Sequence, residues 1–272
     1  FFIDNKVPQV KFVDRTFNCK HDHAMAIWRY ITEHDNGITN FHFEISADLL
    51  REEELALMKT MRPGLIQLEI GVQSTNPQTI KAIRRTMDFE KLKGIVEQIH
   101  GFGNIHQHLD LIAGLPEDTP EGFRRTLDKC LSYGADNITV HTLSLKKGSR
   151  ILLENFTIPS AEAVGEMLDY ANAALRQADF RPYYLYRQKY MSGSFENTGW
   201  CISGAEGLYN IYIMEELHSI LSLGAGGSTK MVGGGLIRRA FNAKYPREYI
   251  DLAEKRSANL AAFADFYREP EE

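Results

Sequence analysis

The chain has 272 residues, with 31 Lys and Arg against 36 Asp and Glu, a formal net charge of -5. That balance argues against a nucleic-acid binder, which carries a basic excess or stripe, and 43% hydrophobic residues allow a sizeable core. Three scattered cysteines, Cys19, Cys130 and Cys201, exclude a disulfide scaffold and fit a reducing, cytoplasmic compartment, and no apolar run reaches the roughly 18 residues of a membrane span.

The chain opens on Phe1-Phe2-Ile3, without Met, in sequence that already reads as structured, so an upstream part is expected to be missing. Short β-rich runs then alternate with helical patterns. Strands are predicted at 9–15, 40–46, 65–73, 104–112 and 137–144, with helices at 22–34, 48–61, 76–85, 88–102 and 119–133 between and after them. Asp48 with Glu52 and Glu53, and Thr119 before Pro120, mark helix starts. Repeated β-α units of this length imply parallel strands with right-handed crossovers, in a barrel or an open sheet. A helix at 160–179 follows. Then come Tyr- and Gly-rich segments, a strand at 220–223 running into a glycine turn, and a charged amphipathic helix at 246–268. The glycines at 224–227 are not a dinucleotide fingerprint, which must open a helix in a βαβ unit.

The strand faces carry the functional signal. Alternate residues of a strand point to opposite sides. One side of 40–46 carries His42, Glu44 and Ser46, the other Phe41, Phe43 and Ile45. One side of 65–73 carries Gln67, Glu69, Gly71 and Gln73, and one side of 104–112 carries His106, His108 and Asp110. Gln107 is the exception on the apolar side of the latter. Buried parallel strands are normally apolar on both faces. A polar second face therefore implies a lumen holding a polar ligand, with an open, solvated sheet face as the alternative. His106 and His108, with Asp110 and Glu69, are also a candidate zinc set.

These residues lie in motifs that resemble a known family. Val10-Lys11-Phe12-Val13-Asp14-Arg15-Thr16-Phe17-Asn18, Gly71-Val72-Gln73-Ser74 and Asp110-Leu111-Ile112-Ala113-Gly114-Leu115-Pro116 resemble landmarks of radical S-adenosylmethionine (radical-SAM) proteins. The first half is similar to members with an upstream cobalamin-binding-type domain. From about Gly114 onward, Tyr184-Leu185-Tyr186-Arg187-Gln188-Lys189, Phe195-Glu196-Asn197 and the stretch from Tyr209-Asn210-Ile211 through Lys230 are similar to the oxygen-independent coproporphyrinogen III oxidase group, in its coproporphyrinogen-dehydrogenase-like branch.

The resemblance implies an α/β fold: a partial (β/α)6 barrel at 1–180 lacking its first strand, with an α+β extension on the substrate side at 181–272. It implies S-adenosylmethionine as cofactor, contacted by Glu44, Gln73, Arg85, Asp110, Ile112 and Ser144. Arg85 suits a carboxylate because its fork binds two oxygens, and Asp110 suits a ribose hydroxyl. Tyr186, Arg187 and Lys189 would hold an anionic tetrapyrrole by ring contact and charge. The family also needs a four-iron four-sulfur cluster on a CxxxCxxC loop, which this sequence does not contain, so its ligands are expected outside it. The implied activity is oxidative decarboxylation of a porphyrinogen, with an electron-donor protein as partner and neither nucleic acid nor membrane. Another radical-SAM reaction and a cluster-free haem or tetrapyrrole carrier are the alternatives.

Overall fold

The computed structural model describes residues 1–145, 148–154, 156–187 and 189–268. Its first compact unit is Phe1–Gly207 and its second is Leu208–Glu272. In the first, five parallel strands follow one another across a curled sheet: β1 (Gln9–Phe12), β2 (Asn40–Ile45), β3 (Ile66–Gln73), β4 (His106–Ala113) and β5 (Asn137–Thr142). The connections are α1 (His21–Glu33), α2 (Glu52–Lys59), α3 (Pro77–Ala82) with α4 (Phe89–His100), and α5 (Pro120–Ser132). Beyond β5 come a short α6 (Arg150–Leu153) and α7 (Ala161–Gln177). The chain then adds β6 (Arg181–Tyr186) and β7 (Asn197–Cys201). Strand β7 pairs antiparallel with β5 and carries β6 on its far edge, giving the order β1-β2-β3-β4-β5-β7-β6. The sheet thus continues beyond residue 180.

The apolar strand faces behave as their alternation predicts. Phe41, Phe43, Ile45, Leu68, Ile70, Leu109, Leu111, Ile138 and Val140 are buried against Trp28 of α1, Met58 of α2, Val96 of α4, Leu127 of α5 and Met167 of α7 in one core. Each such side chain contributes about 1.5–3 kcal/mol on burial. Gln107, the polar exception on this side, is fully buried, and its Nε2 donates to the Val96 carbonyl at 2.9 Å. That bond makes an amide tolerable in an apolar layer. Helix starts follow their caps: Thr119 Oγ1 accepts from Gly122 N at 3.0 Å, and Asp88 Oδ1 accepts from Lys91 N at 3.0 Å.

Three local expectations are corrected. Asp48 does not open a single helix: residues Ala47–Leu49 form a 3-10 turn, and α2 starts at Glu52, where Glu54 Oε2 accepts from Arg51 N at 2.9 Å. In the second unit the expected strand at 220–223 reduces to one bridge between Ile220 and Lys230. This unit contains α8 (Leu208–Met214), an antiparallel hairpin of β8 (Ser228–Gly233) and β9 (Leu236–Phe241), then α9 (Pro246–Asp251) and α10 (Ala253–Phe266). Gly234 and Gly235, at φ of 53° and 71°, make the hairpin turn. The helix expected at 246–268 breaks at Leu252, whose ψ of 62° is not helical.

Candidate functional site

Register places the polar side chains of neighbouring strands in rows. Lys11 is level with His42, Glu44 with Glu69, Glu69 with His108, and Gly71 with Asp110. Asp110 is in turn level with Thr139, and Ile112 with His141. The helix-free face of the sheet is therefore one connected charged surface.

Its first half is organised by Lys11, whose side chain is only 9% exposed. The ammonium lies 3.0 Å from Glu44 Oε1 and 2.6 Å from Glu69 Oε2, and Glu69 Oε2 also meets His42 Nε2 at 2.8 Å. Burial alone would lower Lys11, but Glu69 and Glu44 outweigh it and hold the ammonium above its ordinary 10.5. Burial also favours the neutral form of His42 and raises Glu44, the latter opposed by Lys11.

The second half is organised by Asp110. Its Oδ1 lies 3.3 Å from His108 Nε2 and 3.2 Å from His141 Nε2. Burial would raise this carboxyl, but hydrogen bonds and charge from the two imidazoles hold it well below the usual carboxylate range. His108 Nε2 is also 2.5 Å from Thr139 Oγ1, which lies 3.0 Å from the Tyr184 hydroxyl. Both imidazoles use Oδ1, so Oδ2 keeps its lone pairs for a further donor.

Glu44, Asp110, Gln73 and Arg85 are gathered at the upper end of this face. At Gly71 the β3–β4 register shifts, and Gln73 takes a φ of 68°. Arg85 Nη2 donates to the Gly71 carbonyl. A Cβ on Gly71 would lie 2.5 Å from Gln73 Nε2 and 3.5 Å from Arg85 Nη2, so the glycine lets both side chains fold inward. The neighbouring Arg84 instead points to Glu154, at 3.2 Å. A cleft of about 470 Å³ opens beside Arg85, lined also by Arg15, Thr16, Ser46 and Asp48.

The remaining predicted residues lie apart from these four. Ile112 is half-buried beside His141. Ser144 Oγ donates to the Lys189 carbonyl at 3.0 Å, joining the end of β5 to the segment after β6. Tyr186 stacks parallel to Tyr184, with centroids 6.2 Å apart. Arg187 is exposed and pairs with Glu196 at 3.2 Å. Gln188, part of the same motif, lies outside the described residues.

Sequence reasoning missed Lys11, Thr139 and His141. The signal was present, since Gln9 and Lys11 alternate with Val10 and Phe12, and Asn137, Thr139 and His141 with Ile138, Val140 and Thr142.

The donors on this face suit a polar organic ligand. Gln67 Nε2 and His108 Nδ1 are buried without a partner, and Asp110 Oδ2 and Glu44 add acceptors for hydroxyl and ammonium groups. They do not suit a metal cluster. Among the described residues no group of three or more His, Cys, Asp and Glu is placed to hold a metal ion. Cys19 is exposed, whereas Cys130 and Cys201 are buried, with thiols pushed by burial up to about 12. The zinc alternative fails for the same reason: His106 is half exposed and turns to Asp136 at 3.6 Å, away from the partners of His108.

A helix-backed parallel sheet with a charged, hydrogen-bonding inner face defines a partial α/β barrel. Residues 2–130 match the family model of the radical SAM superfamily. The chain is similar to the oxygen-independent coproporphyrinogen-III oxidase-like protein HemZ of Bacillus subtilis, 35% identical over 213 residues, covering 76% of this chain and 42% of that protein. It is also similar to the heme chaperone HemW of Mycobacterium tuberculosis, 22% identical over 209 residues, covering 74% and 48%. It spans less than half the length of either relative. The solved structure of coproporphyrinogen III oxidase (HemN) from Escherichia coli, a radical SAM enzyme, has the same fold. It matches with a TM-score of 0.69 at 17% identity, covering 92% of this chain and 57% of that one. Among the described residues no helix is long and apolar enough to cross a membrane.

Proposed function

We propose that this chain is the ligand-holding part of a radical-SAM oxidoreductase that acts on a porphyrinogen, converting coproporphyrinogen III to protoporphyrinogen IX. The observation that carries the reading is the similarity to the HemZ protein, joined to an inner face whose free acceptors and donors match a polar cofactor. In this reading Glu44 accepts from the ammonium of S-adenosylmethionine, and Arg85 binds its carboxylate. Asp110 Oδ2 accepts from a ribose hydroxyl, while Gln73, Ile112 and Ser144 complete the contact surface. The bound cofactor supplies the adenosyl group that receives a hydrogen atom from the substrate. The chain's own residues position the two partners. Lys11 opposes the burial that raises Glu44, and the two histidines hold Asp110 well below the usual carboxylate range, so Asp110 accepts hydrogen bonds as a carboxylate. Tyr186, Arg187 and Lys189 hold the tetrapyrrole on the side of β6; an electron-donor protein would supply the electron that cofactor cleavage consumes, and the electron the substrate releases with each carbon dioxide would pass to an acceptor. The iron–sulfur cluster of the family finds no ligand group among the described residues.

The test is anaerobic reconstitution, with iron and sulfide, of the gene product that carries this chain. It is then incubated with S-adenosylmethionine, a reductant and coproporphyrinogen III. The expected result is a product lighter by two carbon dioxide units and four hydrogens, with deoxyadenosine formed alongside. The similarity to a heme chaperone favours a second reading, a tetrapyrrole carrier. Stoichiometric haem binding without cofactor cleavage would select the carrier and overturn the enzyme.

A further inference from the structure

His141 is unused by the reading above, yet its geometry is that of a ligand contact. It stands at the upper end of β5, with its side chain 27% exposed. Asp110 fixes its Nε2 at 3.2 Å, and its Nδ1 has no partner among the described residues. Next to it the inner face turns aromatic. Thr139, Gly199 and Tyr184 are successive neighbours across β5, β7 and β6. A Cβ on Gly199 would lie 1.8 Å from Tyr184 Cε1, so the ring lies flat over the sheet where a side chain is missing. Tyr186 continues this shelf, its ring 10° from parallel to that of Tyr184. A flat aromatic shelf flanked by an imidazole suits a ligand made of pyrrole rings with acidic arms.

We infer that His141 binds a carboxylate of the ligand through Nδ1, and that with Tyr184 and Tyr186 it selects a tetrapyrrole bearing carboxylates over one without them. The inference rests on the tetrapyrrole reading and deepens it by naming the residue that reads the acidic arm. The chemistry fixes the protonation state. Nε2 keeps its hydrogen for Asp110, so a neutral His141 turns a bare Nδ1 lone pair toward the ligand. A carboxylate is held only by the imidazolium, through a charge-assisted bond. The groups facing His141 are Asp110 and His108 on β4, Glu69 on β3, Lys11 on β1 and Tyr184 on β6. Burial lowers His141, but Asp110 and Glu69 outweigh it and hold the imidazolium above its ordinary 6.5, with Lys11 opposing them. Ligand carboxylates stay ionised throughout this range. Binding is therefore strong below the raised value and is lost as pH rises through it.

The experiment is fluorescence titration of the full chain with coproporphyrin III from pH 6 to 9, beside a water-soluble porphyrin carrying trimethylammonium arms. Wild type, His141→Phe and His141→Gln are compared, with thermal unfolding as the check on folding. Wild type is expected to bind coproporphyrin roughly ten- to a hundredfold more tightly at pH 6 than at pH 9, the range of one charge-assisted bond. Both variants are expected to lose that advantage and its pH dependence. The cationic porphyrin is expected to bind weakly and alike in all three. His141→Gln keeps a polar side chain, so it carries the test where His141→Phe does not fold. A wild-type pH profile in the glutamine variant overturns the role of His141 while leaving the tetrapyrrole reading intact. Equal binding of both porphyrins by wild type does the same. Failure of wild type to bind either porphyrin overturns the tetrapyrrole reading, and the inference falls with it.

Discussion

A single carboxylate oxygen, Oδ1 of Asp110, receives two imidazoles, and this gives the molecule a definite pH signature. Asp110 is held below its ordinary 3.8, so its contribution to stability is present above that value and lost as pH falls through the lowered one. His141 is held above 6.5, so its contribution is present below that value and lost as pH rises through the raised one. The interaction is complete only between the two. We predict that Asp110→Asn destabilises the chain most near pH 5, with the difference from wild type shrinking toward both pH 3 and pH 9. Denaturant melts across that range read it directly, and a difference that does not vary with pH would rule the coupling out. Asp110 and Glu44 were legible because alternation in β2 and β4 is clean. Gln73 shared the polar face of its strand, whereas Arg85 was reachable only through resemblance, because it sits on a connection, where alternation carries no information.

At the scale of elements, the five parallel strands were readable because each pairs a continuous apolar face with a helix of matching period. Strands β6 and β7 were not, and their sequences explain why. Pro182 removes a ladder donor, and Gly199 has no side chain to signal a face. Tertiary packing makes Gly199 useful: the Tyr184 ring fills the space over it and reaches Thr139 at 3.0 Å. Adding even a methyl group there forces the ring off the sheet. Gly199→Ala is expected to cost about 1–3 kcal/mol, the usual range for overpacking. It should also break the Tyr184–Thr139 contact, leaving His108 less firmly placed. Urea unfolding measures the first effect. Histidine chemical shifts measure the second, and unchanged shifts would show that Tyr184 does not position His108.

For the whole molecule, the question is where the first unit closes. A boundary near residue 180 follows from where the helix expected at 160–179 ends, yet the hydrogen bonding of the sheet runs on to Cys201 and the compact unit to Gly207. The difference has a physical consequence at β5. With β7 in place, Asn137 to Val140 are paired on both sides, and Trp200 is buried in the core with Arg176 over its ring at 5.3 Å. Without β7, a central parallel strand becomes an open edge over an apolar layer, an arrangement that templates aggregation. The core cluster lies wholly between Phe17 and Trp200, so nothing in it requires residues after 207. We therefore predict that residues 1–207, expressed alone, unfold in one cooperative transition and remain monomeric, whereas residues 1–180 aggregate. Circular dichroism melts and light scattering on the two chains decide it. If 1–180 were equally soluble and cooperative, the β6–β7 hairpin would be an appendage to the sheet and not part of its closure.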